Sequence, residues 1–224
     1  MIFSAKSQPP PPSLATEKKK ASGSYRCDDV LDTIKKDFYN KCYICEQSEP
    51  ITINIEHFVP HRGNHDLKFE WANLYYACGH CNNTKLARPM FDDILDVTNA
   101  NHEADKKVRY HINPYPKENA EFQPMENTEI VNNTVVLLDA VYNGTTTLKT
   151  IEAANLRSLL LKEIRLFQGL LFDYYDETYT AEEKESIKNK IIRHLRPASN
   201  FTAFKRWVIR DNENIRADFD DYCK

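Results

Sequence analysis

Four of the six cysteines form two closely spaced pairs, Cys42-x2-Cys45 and Cys78-x2-Cys81. Each C-x-x-C turn directs two thiolates at one point, and two such turns supply the four sulfurs that Zn²⁺ prefers in structural sites. Buried thiols and a redox motif are the alternatives, but a redox motif needs one pair, usually in a βαβ unit that this sequence lacks. We therefore predict a structural zinc ion. Cys27 and Cys223 have no partner at ligand spacing and are expected to be structural or free thiols.

A second group of polar residues lies between and beside the cysteine pairs. Glu56 and His57 precede Pro60, Asn73 precedes Leu74, and Asn82 directly follows the last cysteine of the pairs. Imidazole, with a pKa of about 6.5, accepts a proton from water at neutral pH. Carboxylate and amide oxygens are hard ligands suited to Mg²⁺. Taken singly such residues are usually caps or surface residues, but their grouping between the cysteine pairs favours metal-assisted hydrolysis.

The order of these residues resembles the HNH, or ββα-metal, endonucleases in their zinc-braced form. The resemblance covers residues 42–85 and is carried by a single ordered string: Cys42-x2-Cys45, Glu56-His57-x2-Pro60, Trp71-x-Asn73-Leu74 and Cys78-x2-Cys81-Asn82-x2-Lys85. The fold it implies is α+β, with a ββα-metal core braced by a four-cysteine zinc site. The activity it implies is hydrolysis of phosphodiester bonds.

The resemblance also implies a role for each matching residue. His57 would be the general base that deprotonates the attacking water. Glu56, where the family usually has Asp, and Asn82, where many members have His, would hold a catalytic Mg²⁺ or Mn²⁺. Asn73 would brace the loop and orient the base. These four form the predicted catalytic set.

By the same resemblance, Lys85 is a candidate contact to a phosphate. Arg88, just beyond the matching residues, is a second candidate contact to nucleic acid. The flanking sequence, including Cys42 to Glu46 and the later Asn155-Leu156, is similar to the HNH nuclease subunit of Septu-type anti-phage defence systems. That subunit acts on DNA beside an ABC/SMC-like ATPase. A catalytically inactive zinc-stabilised adaptor and an RNA-directed toxin of the same fold remain alternatives.

Around this string, local patterns predict the elements that position it. A proline-rich arm with Pro9–Pro12 is followed by a helix that begins near Asp28. Alternation over 51–55 predicts a strand, and helices are expected over 70–77 and from Cys81 to about Ala87. Residues 92–124 are polar and rich in proline and asparagine, and we expect an irregular connection there.

The rear of the chain is predicted to be mainly helical. Residues 135–138 and 145–148, joined through Asn143-Gly144, are typical of a hairpin. Helices are expected over about 150–175, over 181–195 and after Pro197. Three segments follow from these patterns: an arm and helix over 1–40, the HNH domain with its zinc knuckles over 41–127, and a hairpin with helices over 128–224.

Composition limits the partners of the chain. It has 224 residues, 41% hydrophobic and 28% charged, and a net charge of −3, so any contact with nucleic acid needs a local basic patch. One candidate is the stretch 188–210, which holds seven Lys and Arg residues and no acidic residue; the alternative is a solvated helix pair. No apolar run reaches the ~18 residues of a membrane helix, and no secretory signal is visible, so a soluble cytoplasmic protein is expected.

Overall fold

The structure is a computed structural model that describes residues 1–86 and 88–223. In the front part of the chain the elements are α1 (Pro12–Glu17), α2 (Asp28–Asp37), β1 (Ile53–His57), α3 (His65–Lys68), β2 (Leu74–Cys78) and α4 (Gly79–Lys85). The predicted helix near Asp28 is present as α2. Its first turn carries Asp28 and Asp29, which complement the helix dipole, while Val30 and Ile34 are buried.

The strands β1 and β2 form an antiparallel pair that leads directly into α4. The register runs from Ile53 opposite Cys78 to His57 opposite Leu74. The helix expected over 70–77 is wrong, because a short 3-10 helix over Trp71–Asn73 precedes a strand there. All five residues of β2 are buried, and a continuously buried strand cannot be told from a helix by periodicity alone. The last residue expected in the next helix, Ala87, lies outside the described residues.

The segment predicted to be irregular holds regular structure. It contains α5 (Ala104–Lys107), β3 (Val108–Ile112) and β4 (Ala120–Pro124), with β3 and β4 paired antiparallel. Along β3 the residues alternate between buried and half-buried, so one face of this hairpin packs on the core. The short strands are separated by a polar loop, which explains why composition alone indicated a connection.

The rear of the chain is helical throughout, and the predicted hairpin around Asn143-Gly144 is wrong. Its elements are α6 (Glu129–Asn143), α7 (Thr147–Tyr175), α8 (Ala181–Leu195), α9 (Thr202–Arg210) and α10 (Glu213–Phe219). Val131, Leu138 and Val141 are buried at helical spacing on α6, so packing outweighs the strand preference of valine. Gly144, with φ of 78°, ends α6 instead of turning a hairpin.

One hydrophobic core joins the front and rear parts. Its members include Cys45 and Tyr76 from the front, and Tyr142, Ile164 and Phe204 from the rear. A second, smaller cluster lies between the end of α7 and helices α8 to α10. The fold is a mixed helix-and-sheet structure, 54% helical, with two small sheets. Within residues 1–86 and 88–223, no helix is both long and apolar enough to cross a membrane.

Candidate metal centre and adjoining polar site

The four cysteines predicted to bind zinc converge in the structure. The sulfurs of Cys42, Cys45, Cys78 and Cys81 all lie within 4.8 Å of one another, and all four residues are buried. The Cys45 and Cys78 sulfurs are 3.9 Å apart. In a tetrahedral site with Zn–S bonds of about 2.3 Å, the sulfurs are separated by about 3.8 Å. The cluster therefore has the donor set and the spacing that a structural zinc ion requires.

Local structure holds each cysteine pair in place. Cys78 ends β2 and caps α4, where its sulfur accepts a hydrogen bond from the Cys81 backbone N–H at 3.4 Å. The first pair lies against β2, because the Tyr43 N–H donates to the Tyr76 carbonyl at 3.0 Å. The Tyr142 hydroxyl of α6 donates to the Cys45 carbonyl at 2.6 Å. A zinc ion here would join two segments that are distant in sequence.

Burial and hydrogen bonds between the cysteines shift the pKa values of three of the thiols. Hydrogen bonds from the neighbouring cysteines hold the pKa of the Cys78 thiol far below its usual range. Burial raises the pKa of Cys45 and Cys81 well above theirs. Because Zn²⁺ binds the thiolate form of cysteine, binding of the ion would release protons from Cys45 and Cys81.

Glu56 lies on β1 with its carboxylate in the interior, and its side chain is 4% exposed. Its Oε1 is 3.0 Å from the Lys85 Nζ and accepts a hydrogen bond from the Tyr43 hydroxyl at 3.2 Å. Its Oε2 has no hydrogen-bond partner among the described residues. Burial raises the pKa of Glu56 to about 7, although Lys85 acts in the opposite direction. An orphaned, buried carboxylate oxygen is a group that a metal ion would satisfy.

His57 ends β1 and is half-buried between aromatic rings. Its Nε2 lies 3.0 Å from the Lys68 carbonyl oxygen, and the rings of Tyr25 and His61 contact it edge-on, with centroids 4.5 and 4.7 Å away. A carbonyl only accepts, so Nε2 carries the proton and Nδ1 of the neutral ring keeps a free lone pair. Burial lowers the pKa of His57, which favours this neutral form at neutral pH.

Asn73 holds the backbone just after β1 through side-chain hydrogen bonds. Its Oδ1 accepts from the Val59 N–H and its Nδ2 donates to the Val59 carbonyl, both at 2.8 Å. Its own carbonyl accepts from the Phe58 N–H at 2.9 Å. Asn73 is nearly buried, and these bonds fix the backbone that immediately follows His57.

Of the three remaining predicted site residues, Lys85 differs most from its expected role. Its side chain is 1% exposed, and the ammonium group donates to the Phe58 carbonyl at 2.6 Å besides pairing with Glu56. Lys85 therefore does not present its charge to a phosphate. Asn82 is half-buried, one helical turn before Lys85, and its amide makes no hydrogen bond to any residue described. Arg88 is exposed, 5.9 Å from the Phe91 ring centroid.

In the described part of the chain, the predicted catalytic side chains form no hydrogen bonds with one another. Glu56 and His57 are successive residues of a strand, so their side chains leave on opposite faces. Glu56 contacts α4, whereas His57 contacts the end of α3. Among the described residues, no hydrogen bond links Glu56, His57 and Asn82.

Three groups around this site were missed by reasoning from the sequence. The Lys68 carbonyl sets the tautomer of His57, Tyr43 donates to Glu56, and Tyr25 packs on the imidazole. A backbone carbonyl carries no residue-type signal, and Tyr25 precedes His57 by more than thirty positions. Tyr43 could have been found, since it stands inside the first cysteine pair.

The chain was compared with protein-family models and with curated proteins, and neither comparison found a match. The class of the protein is therefore defined by its own fold and site. It is a mixed helix-and-sheet protein with a buried four-cysteine cluster that is suited to zinc.

Proposed function

We propose that this protein is a metal-dependent endonuclease of the HNH, ββα-metal class that hydrolyses DNA phosphodiester bonds. The proposal is supported by the sequence of elements, in which the antiparallel strands β1 and β2 lead directly into α4. It is also supported by the four-cysteine cluster. Two of its members, Cys78 and Cys81, lie at the β2–α4 junction, and Asn82 directly follows Cys81.

The observation that carries the proposal is the state of His57. The Lys68 carbonyl holds the neutral ring with its proton on Nε2, so Nδ1 is available to take a proton from water. The lowered pKa keeps this form populated at neutral pH. A histidine with a purely structural role has no need of a free ring nitrogen in a half-buried setting beside Arg26 and His61.

Glu56 and Asn82 would hold the catalytic cation. The unpartnered Oε2 of Glu56 and the free amide of Asn82 are hard oxygen ligands that fit Mg²⁺ or Mn²⁺. When bound, such an ion stabilises negative charge on the phosphate oxygens. The Asn73 clamp contributes by holding rigid the backbone next to the base.

We further propose that the nuclease acts as the effector of a two-component anti-phage system beside an ATPase. The net charge of −3 supports this, because a nuclease acting alone would gain affinity from a basic surface. Co-purification with an ATPase encoded next to its gene tests the pairing.

Plasmid cleavage tests the catalytic proposal. We expect the zinc-loaded protein, alone or with its ATPase, to nick plasmid in the presence of Mg²⁺ or Mn²⁺. His57→Ala should abolish cleavage while keeping the fold and the zinc content. His65→Ala, at the start of α3, is the matched control and should cleave normally. Cleavage by His57→Ala at the wild-type rate would refute the proposal.

A second candidate function is a non-catalytic zinc-stabilised binding subunit. It is favoured by the Lys85–Glu56 ion pair, which already neutralises the carboxylate, and by the opposite directions of Glu56 and His57. Intact plasmid under every metal and partner condition, with a stable complex still formed, would favour this second function.

A further inference from the structure

The basic stretch 188–210 does not provide the surface for nucleic acid that its charge suggests, at least in its second half. Lys205 is fully buried and bonded to Glu163 and His194, at 2.8 and 2.9 Å. Arg206 and Arg210 both pair with Asp105. These cations stabilise the packing of α9, so a site for phosphate groups must be sought elsewhere.

Four other cations line one cleft of about 680 Å³ between α7 and the loop that joins β3 to β4. They are Lys117 from the loop and Arg157, Lys162 and Arg165 from α7, against a single carboxylate, that of Glu118. Lys117, Lys162 and Arg165 are exposed and form no ion pair with any described residue. We call this cleft the α7 groove.

The α7 groove also presents an aromatic ring. Tyr115 is 66% exposed and stands between Pro114 and Pro116, whose rings restrict the loop backbone. Its N–H donates to the Asn113 carbonyl at 2.8 Å, which tightens the turn further. Because the loop backbone is restricted, little backbone entropy is lost when the Tyr115 ring stacks on a base.

Arg157 is anchored at the base of the same groove. Its guanidinium donates one N–H to the Tyr142 carbonyl and retains other donors for a ligand. The groove therefore combines three exposed cations with one cation whose position is fixed by a hydrogen bond to the backbone. Ser158 adds a hydroxyl to the lining.

We propose that the α7 groove binds a single-stranded nucleic acid, with its cations on the phosphates and Tyr115 stacked on a base. Strands of this kind are recognised by a basic groove combined with an exposed aromatic ring. The inference goes beyond the proposed catalytic function, because it uses none of its residues and does not require cleavage.

Binding is measured by fluorescence anisotropy with a labelled single-stranded DNA oligonucleotide, without Mg²⁺ and on a His57→Ala background. The test variant reverses two groove charges, Lys162→Glu with Arg165→Glu. We expect its Kd to rise on the order of tenfold, with the slope of log Kd against log salt reduced by about 1.4, or ~0.7 per lost phosphate contact. Tyr115→Ala should also weaken binding, by about fivefold or more.

The matched control reverses two exposed charges on α8, Lys190→Glu with Arg193→Glu, and should bind as the parent does. Equal Kd values for parent and groove variant, or an equal loss in the control, would overturn the proposal. Displacement of the oligonucleotide by ATP at equal concentration would assign the groove to free nucleotides and would overturn it also. None of these binding measurements depends on cleavage, so they test the α7 groove even if the catalytic proposal fails.

Discussion

Glu56 and Lys85 form an ion pair 3.0 Å long in which both side chains are almost completely buried. Burial of two charges is expensive, and removal of either partner leaves the other without compensation. In this pair one carboxylate oxygen also lacks any hydrogen bond from the described residues. A buried carboxylate with an unsatisfied oxygen lowers the free energy of unfolding, and groups of this kind are frequent at functional sites.

The raised pKa of Glu56 predicts how stability depends on pH. Between its ordinary value of 4.5 and its folded value of about 7, the folded protein binds more protons than the unfolded chain. The free energy of unfolding should therefore fall as pH rises through this window. Glu56→Gln should remove this term, so that the difference between wild type and variant changes by about 3 kcal/mol between about pH 5 and pH 8.

Denaturant unfolding with zinc present and no added Mg²⁺ measures this effect. The exposed Glu177→Gln variant is the control and should follow the wild-type profile. A Glu56→Gln profile that also runs parallel to wild type would contradict the inferred protonation.

At the scale of single residues, the sequence correctly predicted that the four cysteines converge, but it did not predict the burial of Lys85. Ligand spacing is a local property, so two C-x-x-C pairs could be assigned to one ion without the fold. The environment of Lys85 is not local, since its partners are Glu56 of β1 and Phe58, which directly follows that strand. A lysine on a short helix is ordinarily exposed, and nothing in its neighbours indicated burial.

At the scale of elements, the four-cysteine cluster brings the turn that carries Cys42 and Cys45, shortly after α2, next to the β2–α4 junction. We expect purified protein to contain one zinc ion per chain, measured by mass spectrometry. Cys78→Ser should lower the zinc content and the free energy of unfolding, since structural zinc contributes on the order of 10 kcal/mol in small sites. Cys27→Ser, outside the cluster, is the control. A Cys78→Ser variant that melts at the wild-type temperature would count against the clamp.

Substitution of Gly144 tests the connection of α6 to α7, where a hairpin was expected, and Gly169 within α7 serves as the comparison. At Gly144, a Cβ would lie 2.6 Å from the Thr150 backbone nitrogen, and φ is positive. Gly144→Ala should destabilise the protein by about 2 kcal/mol or more. Gly169 lies within α7 with open space around it, so Gly169→Ala should stabilise by about 0.5–1 kcal/mol. Equal unfolding midpoints for the two variants would contradict the assigned connection.

The helices of the rear show which element predictions succeed. Helix α8 was predicted at 181–195 and is found there, because Thr180 and Glu183 form a capping box and Ile187 and Ile191 repeat on one face. By contrast, Asn143-Gly144 is a strong local signal for a hairpin, yet it serves as a helix end. Gly fits both roles, and only packing against the core decides between them.

At the scale of the whole molecule, the zinc region and the helical rear share contacts as well as a core. Glu46 accepts a hydrogen bond from the Ala203 N–H at 3.1 Å. The Lys41 ammonium donates to the carbonyls of Pro197 and Ser199 at 2.6 and 2.7 Å. Lys41 and Glu46 flank the first cysteine pair, so α9 and the residues just before it hold this pair in place.

This packing predicts that residues 1–127 do not fold alone. Removal of 128–224 would remove core residues that cover Cys45, such as Tyr142, and would leave Lys41 and Glu46 without their backbone partners. Calorimetry of the zinc-loaded fragment should give no cooperative transition, whereas the full chain should melt sharply. A sharp transition in the fragment would show that the boundary near residue 127 separates independent domains.

The proposed function depends most on whether Glu56 and Asn82 together hold a divalent cation. It is tested most directly by titrating the zinc-loaded protein with Mn²⁺ and counting bound ions by electron paramagnetic resonance. The account predicts one Mn²⁺ per wild-type chain in addition to zinc. Glu56→Gln and Asn82→Ala should lose it, while Asn83→Ala, the adjacent exposed amide, should retain it. Identical Mn²⁺ binding by all four proteins, or none by wild type, would contradict the account.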